Sequence, residues 1–275
     1  MTHAEILVIG CGKMGGALVS GWLATGWPKT AIRIVEAHAP TRDAWTAQGV
    51  AAAAEPADIP ADFAPAAVLV AVKPQGLAAA LPAVAARLAG LPQKPLIVSI
   101  VAGKPIAAFE AAFGPGTPVL RVMPNTPAAV GRGISGLFAN AAVSAAQKSL
   151  GETLLAAVGE TVWLATEAQM HAVTALSGSG PAYVFHLVEA MAKGGEALGL
   201  SPEVAMKLAR ATVTGSGELL RRSPEDAATL RANVTSPGGT TAAALAVLMD
   251  ARNGMPALLP QALAAAAKRS EELAG

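Results

Sequence analysis

The stretch Asn233-Val234-Thr235-Ser236-Pro237-Gly238-Gly239-Thr240-Thr241 breaks an Ala-rich, helix-patterned region with residues that an ordinary helix interior does not accept. Pro237 forbids continuation of a helix, Gly238 and Gly239 remove every Cβ obstacle, and a new helix can begin at Thr240 or Thr241. Bare N–H groups converging at such a helix start can receive a carboxylate or a phosphate, whereas the plainer reading is a tight helix–helix connector. The second constellation is Gly10-Cys11-Gly12-Lys13-Met14-Gly15, a complete G-x-G-x-x-G. Gly10 permits a tight turn, Gly12 lets backbone approach a pyrophosphate, and Gly15 lets a helix pack closely on a strand. Glu36 follows about 20 residues on, where a carboxylate can accept hydrogen bonds from an adenosine ribose and so favour NAD. Arg33, His38 and Arg42 lie near it and can admit a ribose 2′-phosphate if Glu36 turns away.

These residues need a frame, and the chain supplies one. Ile6-Leu7-Val8-Ile9 is a strand-length apolar run that ends at Gly10, and helical spacing follows through Leu18, Val19, Trp22 and Leu23. Further strands are expected at Ile32–Val35, Ala67–Val72, Leu96–Ile100 and Pro118–Met123, with Ile134–Phe138 and Thr161–Leu164 extending the set. Short apolar strands separated by helical segments imply an α/β fold with a parallel sheet covered on both faces. Ligands of such a sheet bind along the C-terminal ends of its strands, where Val72-Lys73-Pro74-Gln75, Ile100-Val101-Ala102-Gly103 and Met123-Pro124-Asn125-Thr126-Pro127 fall. Ala51 to Ala54 and Ala264 to Ala267 read as helix or loop filler. After about Thr166 no β-run appears, and Ala, Leu, Met and Glu recur at helical spacing, so a domain boundary is placed there. Within the helical part, Leu176-Ser177-Gly178-Ser179-Gly180-Pro181-Ala182-Tyr183 is a second break, after which Pro181 restarts a helix.

Composition narrows the class. With 20 Lys and Arg against 19 Asp and Glu, the net charge is +1, which leaves no basic excess for tracking nucleic-acid phosphates. The chain is 53% apolar, yet no run approaches the ~20 apolar residues of a membrane span. Met1-Thr2-His3-Ala4-Glu5 leads straight into the first strand without a secretory pattern, and a cytoplasmic location is expected. Cys11 is the single cysteine and the four histidines are scattered, so no disulfide or metal cluster is expected.

The ordered set Gly10–Met14, Ala71-Val-Lys-Pro74, Met123-Pro-Asn-Thr-Pro127, Leu176–Tyr183 and Thr235-Ser-Pro-Gly-Gly-Thr-Thr241 resembles the pyrroline-5-carboxylate reductases over nearly the whole chain. The resemblance implies a Rossmann-type doubly wound sheet at 1–166, followed by an all-helical substrate-binding and dimerisation domain at 167–275. It implies reduction of 1-pyrroline-5-carboxylate to L-proline, the last step of proline biosynthesis, with hydride from NADPH or NADH, and a homodimer or larger homo-oligomer. No nucleic-acid or membrane partner is implied.

Carried over by position, Ile9, Gly10, Cys11, Gly12, Lys13, Met14, Ala71, Val72, Lys73, Pro74, Ile100, Val101 and Ala102 would contact the dinucleotide, with Glu36 at its ribose. Glu167, Asn233, Ser236, Gly238, Gly239, Thr240 and Thr241 would border the substrate, and the Thr241 hydroxyl would face the ring nitrogen as the catalytic group. Two positions depart from the family habit: Glu36-Ala37-His38 stands where small polar residues suit a 2′-phosphate, and alanine fills Ala51 to Ala54. Cofactor preference therefore stays open, Glu36 pointing to NADH and the family habit to NADPH. A related imine or hydroxyacid reductase, and a non-catalytic dinucleotide-binding protein, are the alternatives.

Overall fold

The computed structural model describes residues 3–274, so Met1 and Thr2, from which part of the missing secretory pattern was read, lie outside it. Eight strands form one sheet: β1 Ile6–Ile9, β2 Ile32–Val35, β3 Ala51–Ala53, β4 Ala67–Val70, β5 Leu96–Ser99, β6 Val119–Met123, β7 Gly133–Ala139 and β8 Gly159–Trp163. Helices α1 Lys13–Ala24, α2 Ala39–Ala47, α3 Leu77–Leu88, α4 Ile106–Phe113 and α5 Ala145–Ala156 connect them. Six more follow: α6 Gln169–Val173, α7 Gly180–Ala197, α8 Pro202–Arg222, α9 Ala227–Asn233, α10 Thr240–Leu248 and α11 Met255–Ala274.

The strand order is β3-β2-β1-β4-β5-β6-β7-β8. The chain winds outward from β1 in one direction and resumes from β4 in the other, which makes the gap between the ends of β1 and β4 the switch point where such sheets bind ligands. Every residue of β1, β4 and β5 is buried, because helices cover both faces. One apolar layer gathers Leu18, Val19 and Trp22 of α1 with Leu154 and Leu155 of α5; the opposite layer gathers Leu77, Leu81 and Val84 of α3 with Phe109 of α4. Trp22 fixes the first layer further by donating its indole N–H to Leu154 O at 2.7 Å. The α5 start carries a reciprocal cap, Ser144 with Gln147.

Two expectations are corrected. Ala51–Ala53 is an edge strand and not helix or loop filler, since the open edge of β2 offers a ladder and Arg33 pairs with Ala51. The sheet is not wholly parallel: β7 runs antiparallel to β6, because the short Pro124–Arg132 connection, wound into a 3-10 turn at Thr126–Val130, cannot make the long crossover that a parallel neighbour needs.

The chain divides into two compact units, one running through Gly178 and including the segment from Lys268, the other Ser179–Ala267. This division falls after a single π turn, Thr174–Gly178, and the last residues of α11 belong with the sheet. In the second unit α7 and α8 pack against each other, yet Ala192, Ala205 and Ala209 form its buried cluster, while Phe185 is 63%, Leu198 88% and Val247 72% exposed. Among the described residues, no helix is long and apolar enough to cross a membrane.

Candidate active site

The glycine loop stands at the switch point. Gly10 has φ +80°, a conformation that glycine alone adopts without strain, and a Cβ there would meet Val72 Cγ1 at 2.9 Å. A Cβ on Gly15 would stand 2.7 Å from Gly10 O and 3.1 Å from Ala71 Cβ, so the loop, α1 and the end of β4 close on one another only without side chains. Gly12 is different: a Cβ there would meet nothing within 4 Å. It is the N-cap of α1 and is exposed, and no side chain caps the helix, so the first N–H groups of α1 face open space. A helix start of this kind can receive an anion.

Around the glycine loop the predicted cofactor residues are brought together. Ile9 and Ala71 are joined by the Ala71 N–H to Ile9 O hydrogen bond at 2.8 Å, and Gly10 N–H donates to Val35 O at 2.8 Å. Lys13 and Lys73 are exposed, Met14, Val72 and Pro74 half-buried. Ile100 donates from its N–H to Val70 O at 3.1 Å, which sets Ile100, Val101 and Ala102 beside the end of β4. The Cys11 side chain points inward and is buried; burial, reinforced by the Glu36 charge, pushes its thiol up to about 12. A thiol so shifted is no nucleophile at neutral pH.

Glu36 is turned into the loop. Its Oε2 accepts from the Cys11 N–H at 2.8 Å and its Oε1 from the His38 N–H at 2.9 Å. The neighbouring basic side chains have partners of their own: Arg42 Nη1 donates to Glu36 O at 2.9 Å, His38 Nδ1 lies 2.9 Å from Thr41 Oγ1, and Arg33 Nη1 donates to Thr30 O at 3.0 Å.

Glu167 lies in the sheet unit, where Oε1 accepts from Arg121 Nη1 at 2.7 Å and from the Ile106 N–H at 2.8 Å. Neither partner was singled out from the sequence. A signal was present, since Arg121 is a lone charge inside the apolar run Val119–Met123 and is 6% exposed, and a buried guanidinium demands a partner.

In the helical unit the predicted substrate residues form one turn. Gly239 N–H donates to Ser236 O at 3.0 Å, Gly238 takes φ +68°, and α10 starts with Gly239 as N-cap. Thr240 and Thr241 are therefore first-turn residues, and no side-chain oxygen caps the helix. The N–H groups of Thr240, Thr241 and Ala242 have no carbonyl within the helix to reach. Asn233 closes α9 and sends its amide to Glu225 Oε2 at 3.1 Å. A groove of about 550 Å³ opens beside the turn, lined by Thr235, Ala242, Leu245 and Met249 among others.

Residues 167–273 match a family model described as pyrroline-5-carboxylate reductase dimerisation, and residues 5–103 one described as NADP oxidoreductase, coenzyme F420-dependent. The pyrroline-5-carboxylate reductase of Pseudomonas aeruginosa is 45% identical over 281 aligned positions, covering 100% of this chain and 98% of that protein. This chain belongs to the pyrroline-5-carboxylate reductase family. The Haemophilus influenzae reductase is 38% identical, with 99% of this chain and 98% of that one covered. The solved structure of the Coxiella burnetii pyrroline-5-carboxylate reductase superposes with a TM-score of 0.92 at 33% identity, covering 100% of both chains. The Plasmodium falciparum pyrroline carboxylate reductase, solved with NADP bound, gives 0.82 at 27% identity, also covering 100% of both. As a family member, the chain is an oxidoreductase.

Proposed function

We propose that this member of the family makes L-proline from 1-pyrroline-5-carboxylate, the closing step of proline biosynthesis, with NADH preferred over NADPH and as a homodimer or larger homo-oligomer. The observation that carries the reading is the open space before Gly12 at the sheet's switch point, in a chain that also keeps the Ser236–Thr241 turn.

The loop residues fit a nicotinamide dinucleotide. Gly10, Cys11, Gly12, Lys13 and Met14 would hold its pyrophosphate against the start of α1, with Ile9, Ala71 to Pro74 and Ile100 to Ala102 lining the strand ends beside it. Glu36 supports the NADH preference: its carboxylate sits on the loop N–H, and a ribose 2′-phosphate ~4 Å away would be repelled by roughly 4 kcal/mol per charge pair at an effective dielectric near 20. Arg42, which could offset this, directs its Nη1 to the backbone carbonyls of Glu36 and Ala37. When bound, the dinucleotide supplies the hydride.

The chain's own task is to hold the cyclic imine. The free N–H groups at the start of α10 and the bare backbone of Gly238 and Gly239 receive the carboxylate, with Asn233, Ser236 and Thr240 at the border of the site. The Thr241 hydroxyl orients the ring nitrogen. A cyclic imine is readily protonated in water, so no strong general acid is required, and positioning supplies most of the rate. Oligomerisation is supported by the exposed apolar side chains Val184, Phe185 and Met206 of α7 and α8, which border a groove of about 410 Å³ together with the half-buried Val188 and Val213.

The test is reverse reduction of the dinucleotide with a panel of small acids. Proline alone supporting the reaction agrees with the proposal; equal or better activity with an acyclic amino acid or a hydroxyacid points to the alternative reductase reading.

A further inference from the structure

The segment 100–105, which leads from β5 into α4, is held at both ends and runs close to the end of α11 in its middle. At its start the Val101 N–H donates to the buried Ser99 Oγ at 3.3 Å. In its middle Gly103 takes φ +73°, and a Cβ there would stand 3.2 Å from Leu273 O of α11. At its end the Ile106 N–H, the first of α4, donates to Oε1 of Glu167, a carboxylate 61 positions away in sequence, at 2.8 Å. The same oxygen holds Arg121 Nη1 at 2.7 Å, and the two side chains are 8% and 29% exposed. Ala102 is left exposed between these ties.

A part-buried ion pair is a poor net stabiliser, because desolvation offsets much of its attraction, but its charge-assisted hydrogen bonds are short and directional. Its value here lies in geometry. β6 anchors Arg121, Arg121 aims the carboxylate, and the carboxylate fixes where α4 and the segment before it begin.

We propose that Arg121 and Glu167 are positioning residues for the cofactor, acting through the Ile106 N–H on the 100–105 segment, and that Glu167 does its work by this tie and not by touching the imine. The inference rests on the reading that Ile100 to Ala102 contact the dinucleotide.

The experiment compares the full-length wild type with Glu167→Ala, Glu167→Gln and Glu167→Asp. Calorimetric dinucleotide affinity is measured without imine, together with amide exchange at 100–106 and separate KM values for cofactor and imine. Glu167→Ala is expected to weaken dinucleotide binding roughly tenfold, the worth of one charge-assisted hydrogen bond. It should also speed exchange at Ile106 and raise the cofactor KM while leaving the imine KM within about twofold, less than ~0.5 kcal/mol. Glu167→Gln keeps an acceptor oxygen and should recover most of the affinity. Unchanged dinucleotide affinity and unchanged Ile106 exchange, with a raised imine KM, would overturn the proposal. If Glu167→Ala does not fold, Glu167→Asp, one methylene short, carries the comparison, and wild-type affinity and exchange there overturn it as well. A wild type that binds neither NADH nor NADPH defeats the parent reading instead, and exchange at Ile106 then still decides whether Glu167 pins the segment.

Discussion

Glu36 and Cys11, at the ends of neighbouring strands, are joined by a hydrogen bond of 2.8 Å from the Cys11 N–H to Glu36 Oε2. The bond places a negative charge against the glycine loop, at the side where a ribose attached to a loop-bound pyrophosphate would lie. Under the proposed NADH preference, this one carboxylate is the group that would tell apart two cofactors differing by one phosphate.

Glu36→Ala should raise the ratio of NADPH to NADH efficiency by roughly tenfold or more, because a repulsive charge and a ribose acceptor disappear together. Steady-state kinetics with both cofactors measure this. An unchanged ratio would mean that Glu36 takes no part in the choice.

Thr241→Ala separates chemistry from folding. Its hydroxyl is expected to hydrogen-bond the ring nitrogen as the charge on that atom changes, so kcat/KM should fall about 10 to 100-fold while cofactor affinity holds. Gly239 is the N-cap of α10 and no side chain caps it, so removing the hydroxyl should hardly move Tm. Thr241→Ser should keep most of the activity. A large drop in Tm with normal kinetics would assign Thr241 to structure.

The glycines of the loop should part company. Gly12→Val places its side chain in open space where the cofactor is expected, so stability should be spared and dinucleotide binding lost. Gly15→Ala drives a Cβ to 2.7 Å from Gly10 O and should lower stability by about 1 to 3 kcal/mol, in the range of overpacked sites. Calorimetric titration and thermal melts on the two variants check the contrast. Equal effects on folding would contradict it.

The helical unit buries too little on its own. Phe185 at 63% exposure lies on α7 in a unit whose buried cluster is three alanines, so the chain should be at least dimeric and Phe185→Asp should weaken the assembly. Light scattering at micromolar concentration reads this directly. A wild-type monomer would refute it.

The strands β1 and β4 were legible as continuous apolar runs, as parallel strands covered on both faces must be, and β2 and β5 as apolar runs with one polar residue each, Arg33 and Ser99. Ala51–Ala53 was not, since alanine has little preference for strands and its state is set by the free edge of β2, which lies beyond the intervening α2. The reversal at β7 was equally hidden, being decided by the length of one connection. At the site, the turn at Gly10 before α1 and the turn at Gly238 before α10 were legible in residue type and spacing. What residue types could not reveal is where side chains spend their hydrogen bonds. Arg42 looked available for a phosphate and is held by two carbonyls, and Glu167 is engaged by Arg121 and the α4 backbone.

The central claim is tested most directly by following NADH and NADPH oxidation spectrophotometrically with 1-pyrroline-5-carboxylate and identifying the product. We expect stoichiometric L-proline with both cofactors and a higher kcat/KM with NADH. No oxidation of either cofactor in the presence of the imine would contradict the assignment of the reaction itself.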